Sequence, residues 1–188
     1  MQPPHERNAA QVSSANPEPF ELLGVTARYD LDLADIAERH RELSRALHPD
    51  RFVGAPAGER RQALNKAMLV NEAWRTLKDP VRRAEALLRH HGLVVDEQSD
   101  PKASPALLMQ MMEAREELGA LRDRGDAGKL AAWRAQHEQR RDAVCQVLGQ
   151  RFASAAGGGD FSAVRETLVE LRYLQRLLEE ARNAEDDL

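Results

Sequence analysis

The sequence is poor in the residues on which disulfide bonds, metal clusters and β-sheets depend. Aromatic residues make up 4% of the 188-residue chain, and Cys145 is its one cysteine, so an intramolecular disulfide is impossible. That cysteine usage fits a reducing compartment. One thiol cannot supply the ligands of an iron–sulfur cluster, and the adjacent pair His90 and His91 has poor geometry for zinc. We therefore expect neither a metal nor a cofactor, and we interpret Cys145 as an ordinary helix residue.

Long apolar runs and an excess of positive charge are also missing. No stretch approaches the roughly 18 apolar residues of a membrane span, and the N-terminal residues lack the apolar core of a secretory signal. The formal net charge of −4 gives no argument for nucleic-acid binding. Residues 1–16 are too polar to offset the entropy lost on ordering, and we predict a disordered tail there.

What the chain has in abundance is Ala, Leu, Glu and Arg, and this mix favours helices. A short helix near Phe20 is predicted to end at Gly24. A second helix stops before Pro49, because a residue that precedes proline is pushed out of the α region. A third helix is predicted from Glu59 to the break at Asp79-Pro80. The second and third helices are each marked by one mainly apolar face with spacings of three and four, formed by Ile36, His40, Leu43 and Leu47, then by Ala63, Ala67, Val70, Trp74 and Leu77.

The chain divides into two helical domains. Residues 93–104 lose the helical period and collect turn formers, so we place a linker there, between domains at 17–92 and 105–188. Breaks near 122–129 and 155–160 leave three long helices in the second domain, which indicates an antiparallel bundle. Because no strand alternation of any length occurs, the predicted fold class is all-α: an N-terminal helical hairpin followed by a C-terminal three-helix bundle.

The loop after the second helix concentrates reactive groups in His48, Pro49, Asp50 and Arg51. His48 and Asp50 are candidates for an acid–base pair. However, we expect the intervening proline to direct the two side chains away from a shared proton, and no Ser or Cys nucleophile accompanies them locally. Short helices around a loop rarely form a substrate pocket, so catalysis is disfavoured.

Basic side chains occupy the second helix away from its apolar stripe. Arg41 and Arg45 are four residues apart and lie opposite the stripe, and Arg39 lies on its flank. The simple interpretation is a solvated face of mixed charge, since acidic residues partly offset the cations. However, the face runs directly into the 48–51 loop, and cations that lead into a rigid, charged loop favour docking of a protein partner.

These features resemble a known module. A helix with a basic outer face, then His-Pro-Asp, then a long antiparallel helix is similar to a J-domain, which stimulates the ATPase of DnaK-type chaperones. Four further stretches narrow the resemblance to the HscB family, co-chaperones of iron–sulfur cluster assembly. The resemblance covers roughly residues 19–180 and is carried by "ARYDLD", "HPDRF", "NEAWRTLKDPVRRAEALL" and "LLMQMMEAREEL".

The resemblance implies two protein partners and no enzyme activity of the chain itself. A J-domain contacts the DnaK-type ATPase, which is HscA in this family. The residues implied in that contact are His48, Pro49, Asp50, Arg51, Arg39, Arg41 and Arg45. Arg51 stands where relatives often have Lys, which keeps the charge and changes the hydrogen-bond geometry. The second implied partner is IscU, the scaffold on which clusters are built, held by the C-terminal bundle in the bacterial cytoplasm.

The helix after Pro105 contains apolar residues that its interior stripe does not use. Leu108, Met109 and Met112 lie partly or wholly off that stripe, beside Glu113 and Glu116. A Met-rich patch next to carboxylates is typical of an adaptable binding surface, whereas a broader core is the alternative. The stripe itself is Leu107, Met111, Ala114, Leu118 and Leu121.

Tyr173 has a similar position on the last helix, away from a stripe formed by Thr167, Leu171, Leu174 and Leu178. An aromatic residue there is either a binding hot spot or an edge of the core. The family resemblance implies that the scaffold is bound by Leu108, Met109, Met112, Glu113, Glu116 and Tyr173. Ala120 occupies a position that is acidic in the family, so part of the expected electrostatic contact is missing.

Two other functions remain open from the sequence. One is a general J-domain co-chaperone in protein folding, with clients unrelated to iron–sulfur clusters. The other is an enzyme that uses His48 and Asp50, which activity on a small substrate without any partner would support.

Overall fold

The computed structural model describes residues 17–96 and 100–187, and within these ranges it contains α-helices and a 3₁₀ turn but no β-strand. The predicted all-α fold is therefore confirmed. The tail predicted at 1–16 lies outside the described residues. In chain order the elements are α1 (Pro19–Leu22), α2 (Leu33–Ala46), the 3₁₀ turn (Pro49–Phe52), α3 (Ala57–Lys78), α4 (Pro80–His90), α5 (Pro105–Asp123), α6 (Ala127–Ala155) and α7 (Ser162–Asp186).

Short polar side chains fix where the helices begin. Asp32 accepts hydrogen bonds from the backbone N–H of Ala34 and Asp35 at 2.9 and 3.2 Å, and so caps α2. Asp79 has an extended backbone that ends α3, and its carboxylate accepts from the Arg82 N–H at 2.8 Å to begin α4. The long helix α3 begins at Ala57, two residues before the predicted Glu59. The loop between α2 and α3 also contains a 3₁₀ turn, which its sequence pattern did not show.

The N-terminal domain is built on the antiparallel hairpin of α2 and α3, with α1 and α4 packed against α3. Ile36 from α2 and Leu77 from α3 are 1% and 0% exposed, as the predicted stripes require. Near the middle of the hairpin the ring of His40 stacks on Trp74, with centroids 5.5 Å apart. The hairpin therefore places the 48–51 loop at one end of a packed helical pair.

The C-terminal domain is a bundle of α5, α6 and α7, in which α6 and α7 pack most extensively. The interior stripes predicted for α5 and α7 are confirmed, with Leu107 and Leu121 half-buried at the ends of the α5 stripe. The residues that close the core from α6 are Leu130, Trp133, Val144, Leu148 and Phe152. Of the helices that the structure describes, none is both long enough and apolar enough to cross a membrane.

Aromatic and cationic side chains join the two domains on one side of the junction. Tyr29, in the turn before α2, is 4% exposed and stacks on Phe152 of α6 at a centroid distance of 5.5 Å. The guanidinium carbon of Arg83 lies 4.7 Å from the centre of the Tyr29 ring. Arg83 Nη1 also donates to the carbonyl oxygen of Leu77 at 2.9 Å, which fixes its position.

Ion pairs join the domains on the other side of the junction. Arg172 of α7 pairs with Glu85 of α4 at 2.9 Å and also with Asp100. Gln175 Nε2 donates to Asp79 Oδ2 at 2.6 Å, so α7 also contacts the residue that separates α3 from α4. The domains consequently meet through packed rings and paired charges on opposite sides of α4.

Candidate functional site

The loop that follows α2 is a tight turn with an imidazole at its start. His48 has an extended backbone at φ −62° and ψ 135°, and Pro49 begins the 3₁₀ turn. His48 Nδ1 accepts a hydrogen bond from the Asp50 N–H at 3.3 Å and lies 3.5 Å from Asp50 Oδ2. The two side chains therefore lie closer than the intervening proline led us to expect, but Nδ1 is engaged by the Asp50 N–H and no hydrogen bond joins the ring to the carboxylate. A 3₁₀ turn closes within three residues, so it brings the Asp50 carboxylate near His48 Nδ1.

The solvent exposure of His48 and Asp50 distinguishes a catalytic role from a role in recognition. The side chains of His48 and Asp50 are 58% and 85% exposed to solvent. Catalytic acid–base pairs are normally sequestered in a cleft that removes water and shifts their proton affinities. Here both groups stand in water at the tip of the helical hairpin. The geometry therefore favours recognition of the loop by another protein.

The basic residues of α2 differ in how freely they present their charge. Arg41 is exposed and pairs with Glu38 one turn away. Arg45 is also exposed, as is Arg51 in the loop, and neither has an ion-pair partner among residues 17–96 and 100–187. These three cations extend along the outer side of α2 and into the loop.

Arg39 has a contact within the fold that the sequence pattern did not reveal. Its Nε donates to Asp35 Oδ2 at 3.0 Å, and its Nη1 donates to the carbonyl oxygen of Gly24 at 2.9 Å. Gly24 has φ 63°, a left-handed conformation that favours glycine. The turn after α1 therefore presents a carbonyl group to α2, and Arg39 ties the two helices together.

A second candidate surface lies on α5, in the other domain. Leu108, Met109 and Met112 are 41%, 63% and 62% exposed, so the bundle core does not absorb them. We call these three residues the methionine patch. Glu113 and Glu116 are exposed beside it, and Ala120 is exposed one turn further along the helix.

Tyr173 has a different environment from the methionine patch. Its side chain is half-buried and packs against the hydrophobic core, and the neighbouring Val169 is buried. Of the two interpretations that the sequence left open, the structure favours an edge of the core. The ring still contributes a partly exposed rim on α7, the helix that packs beside α5.

Cys145 lies half-buried on α6, facing the junction between the domains. Burial raises the pKa of its thiol, although the nearby charge of Arg83 opposes that shift. Within residues 17–96 and 100–187, no group of three or more His, Cys, Asp and Glu side chains is arranged to hold a metal ion.

The residues that sequence reasoning missed are those of the domain junction. Tyr29 and Arg83 lie within "ARYDLD" and "NEAWRTLKDPVRRAEALL", two of the stretches that carry the family resemblance. The sequence did contain one signal for this contact. The helical period places Arg83 among the alanines and leucines of α4 that are buried. A long cation in an apolar stripe needs a partner, and the Tyr29 ring is that partner.

Two family models match the chain, one in each domain. The model described as DnaJ domain matches residues 18–86, and the model described as HSCB C-terminal oligomerisation domain matches residues 103–182. A DnaJ domain with an exposed His-Pro-Asp loop between two antiparallel helices makes this chain a J-domain protein, a class whose partner is an Hsp70-type chaperone.

Relatives that match this chain along almost their whole length identify its family. The Co-chaperone protein HscB homolog of Aeromonas hydrophila is 36% identical over 169 residues, which cover 90% of this chain and 96% of the relative. The homolog of the same name from Shewanella halifaxensis is 34% identical over 170 residues, with 90% and 97% covered. The chain belongs to the HscB family of co-chaperones, and the resemblance drawn from its motifs is confirmed.

Solved structures show the same architecture. Chaperone HscB from Vibrio cholerae superposes with a TM-score of 0.78 at 29% identity, covering 92% of this chain and 99% of that one. Human co-chaperone protein HscB superposes with a TM-score of 0.76 at 24% identity, covering 95% and 87%, and is similar in fold.

Proposed function

We propose that this protein binds an IscU-type iron–sulfur scaffold, delivers it to an HscA-type chaperone of the DnaK class and stimulates that chaperone's ATPase. It would thereby aid cluster transfer and the maturation of iron–sulfur proteins in the bacterial cytoplasm. The observation that carries the proposal is the presence of two separate exposed surfaces in one chain. One is the His-Pro-Asp loop, and the other is the methionine patch in the second domain.

The chaperone-binding surface is assigned to the loop and to α2. The short 3₁₀ turn at Pro49 presents His48 and Asp50 together, so a partner meets one preformed arrangement and loses little entropy on binding. Arg41, Arg45 and Arg51 attract an acidic surface and set the orientation of encounter. Arg39 contributes charge at the flank while it holds α1 against α2.

The scaffold-binding surface is assigned to the methionine patch, with Glu113 and Glu116 at its rim and Tyr173 at its α7 edge. Methionine side chains are flexible and polarizable, so they adapt to an apolar partner surface. In this assignment residues 17–92 act as the J-domain, 93–104 as the linker and 105–188 as the client-binding bundle. The chain itself would catalyse no reaction, since the ATP is hydrolysed by the chaperone.

The test is a steady-state ATPase assay of an HscA-type chaperone with this protein, with and without an IscU-type scaffold. The parent protein should stimulate the chaperone alone and stimulate it further with the scaffold. Asp50→Asn or His48→Gln should abolish stimulation while leaving the melting temperature unchanged. Replacement of the methionine patch by alanine should remove only the increment that depends on the scaffold.

Two outcomes would redirect the proposal. Full stimulation by Asp50→Asn would show that the loop is not the chaperone contact. Stimulation that the scaffold never increases, together with no binding of the scaffold, would favour a general folding co-chaperone with other clients.

A further inference from the structure

Two apolar side chains on α3 stand in solvent. Leu64 and Met68 are 53% and 63% exposed, although the same helix buries Val70 and Leu77. They are four residues apart, so they lie one turn apart on the same side of the helix. We call them the apolar pair. Scattered exposed apolar residues are common on proteins, so only the position of the pair can indicate whether it belongs to a binding surface.

The contact between α2 and α3 shows on which side of the hairpin the apolar pair lies. His40 Nε2 of α2 is 2.8 Å from Asn71 Oδ1 of α3. Leu64, Met68 and Asn71 follow the i, i+4, i+7 pattern, so they occupy one stripe of α3. The pair therefore lies on the edge of α3 that faces the His40 side of α2.

Leu64 of the apolar pair is also level with the loop. From His40 to His48 the chain advances eight residues, about 12 Å along the helical direction at 1.5 Å per residue. From Asn71 back to Leu64 it covers seven residues, about 10 Å in α3. Because the helices are antiparallel, both paths lead to the same end of the hairpin. Leu64 consequently lies beside the loop on one side of the domain, and Met68 lies one turn closer to the middle of the hairpin.

Positive charge borders this side of the domain. Arg41 and Arg45 are exposed on α2, and Arg61 is exposed on α3, one turn before Leu64. The carboxylate of Glu72, one turn after Met68, lies 3.8 and 3.9 Å from Arg75 and Arg82, which offset its charge. A surface that fits against this side must combine an apolar centre with carboxylates around it. Such a match gives orientation through the charges and affinity through the apolar contact.

We propose that Leu64 and Met68 form a second contact for the Hsp70-type chaperone, docking on an apolar patch of that chaperone bordered by acidic residues. This inference rests on the proposed function, because it takes the loop as the primary contact. In this arrangement the loop triggers ATP hydrolysis, whereas the apolar pair supplies affinity that salt does not screen.

The test compares Leu64→Gln/Met68→Gln with the parent protein in the chaperone ATPase assay without scaffold. Glutamine has nearly the helix propensity of leucine and methionine, so the melting temperature should stay unchanged. The half-maximal concentration should rise about tenfold, with the maximal rate preserved, as the loss of two apolar contacts implies. The loss should be equal at low and high salt, and each single variant should show part of it.

Two controls separate this inference from the proposed function. Val147→Gln alters an apolar side chain that is 40% exposed on α6, and it should behave as the parent does. Asp50→Asn should be inactive. A parent-like double variant beside an inactive Asp50→Asn would overturn the apolar contact alone, and so would a loss that disappears at low salt. A fully active Asp50→Asn would instead overturn the proposed function.

Discussion

Arg41 and Arg45 supply much of the exposed positive charge on α2. We predict that stimulation of the chaperone weakens as salt rises, because attraction between exposed charges is screened beyond about 8 Å at physiological ionic strength. The double variant Arg41→Ala/Arg45→Ala should stimulate less at low salt and show a flatter dependence on salt in the ATPase assay. Its stability should change little, since the Arg41–Glu38 pair is exposed. An unaltered salt response would mean that this face is only solvated.

The thiol of Cys145 gives a second prediction for a single residue. Burial raises its pKa, so at pH 8 less of it is thiolate than in free cysteine, and the thiolate is the reactive form. The folded protein should therefore react more slowly with a thiol-specific reagent than the same protein in urea. Following the colour released by an aromatic disulfide reagent measures both rates. Equal rates in the two states would contradict the buried position of this side chain.

Two contacts of single side chains could not be predicted from the sequence. The pattern around the loop predicted that the second helix stops before Pro49, but it did not predict how close His48 and Asp50 lie. Their approach depends on the 3₁₀ turn, and a four-residue segment has no periodicity from which to recognise one. The sequence also did not reveal the contact of Arg39 with Gly24, for a different reason: the two residues are 15 positions apart and lie on different elements.

Among the elements, α5 carries the most specific claim about a partner. Replacing Leu108, Met109 and Met112 by alanine should lower the free energy of unfolding by no more than about 0.5 kcal/mol each, because exposed side chains contribute little to stability. The triple variant should remain folded and lose binding to the scaffold, which titration calorimetry measures. A triple variant that binds the scaffold as the parent does would refute the assignment of the methionine patch.

Tyr173 should behave differently from its proposed neighbours on α5. Because it is half-buried against the core, Tyr173→Ala should lower the free energy of unfolding by about 1–3 kcal/mol, below the range for a fully buried aromatic residue. Urea unfolding provides the measurement. Tyr173→Phe is the matched control, since it keeps the packing and removes only the hydroxyl group. A negligible effect of Tyr173→Ala would place this side chain outside the core.

Element boundaries were predictable where short polar residues or prolines mark them. The break at Asp79-Pro80 was read directly from the sequence, and the cap on Arg82 N–H explains it. The start of α3 at Ala57 was not predicted, because Gly58 in its first turn has a low helix propensity and is typical of a loop. Periodicity placed Leu108, Met109 and Met112 off the interior stripe of α5 but left open whether a broader core covers them. Their exposure in the folded chain decides for the outer side.

At the scale of the whole molecule, the junction is where a charge change should have the largest effect. Arg172→Met removes the pairs with Glu85 and Asp100, whose side chains are 22% and 6% exposed. We predict a loss of about 1–3 kcal/mol in the free energy of unfolding, measured with urea, because the partly buried carboxylates lose their closer partner. They keep longer ion pairs, Asp100 with Arg165 and Glu85 with Arg89, both at 3.5 Å. Arg115→Met is the matched control. It breaks an Arg–Glu pair between α5 and α7 that is 42% and 45% exposed, and should cost under about 1 kcal/mol. Equal losses would show that the junction pairs are ordinary surface pairs.

The relative placement of the domains was beyond sequence reasoning. Helical stripes show which side of each helix is buried, but they do not show which domain covers it. Tyr29 and Phe152 are more than 100 residues apart in sequence and stack at the junction. Their pairing is a property of the assembled fold.

The contacts on both sides of the junction also fix how the two proposed partners would be placed relative to each other. If the two domains were joined only by a flexible tether, a scaffold bound to α5 would sweep a large volume and meet the chaperone rarely. Tyr29, Arg83 and Arg172 instead hold one domain on the other. A chaperone bound at the loop and a scaffold bound at α5, as proposed, would each be presented to the other from a nearly constant position. The fold would set the distance between them before they make any contact of their own.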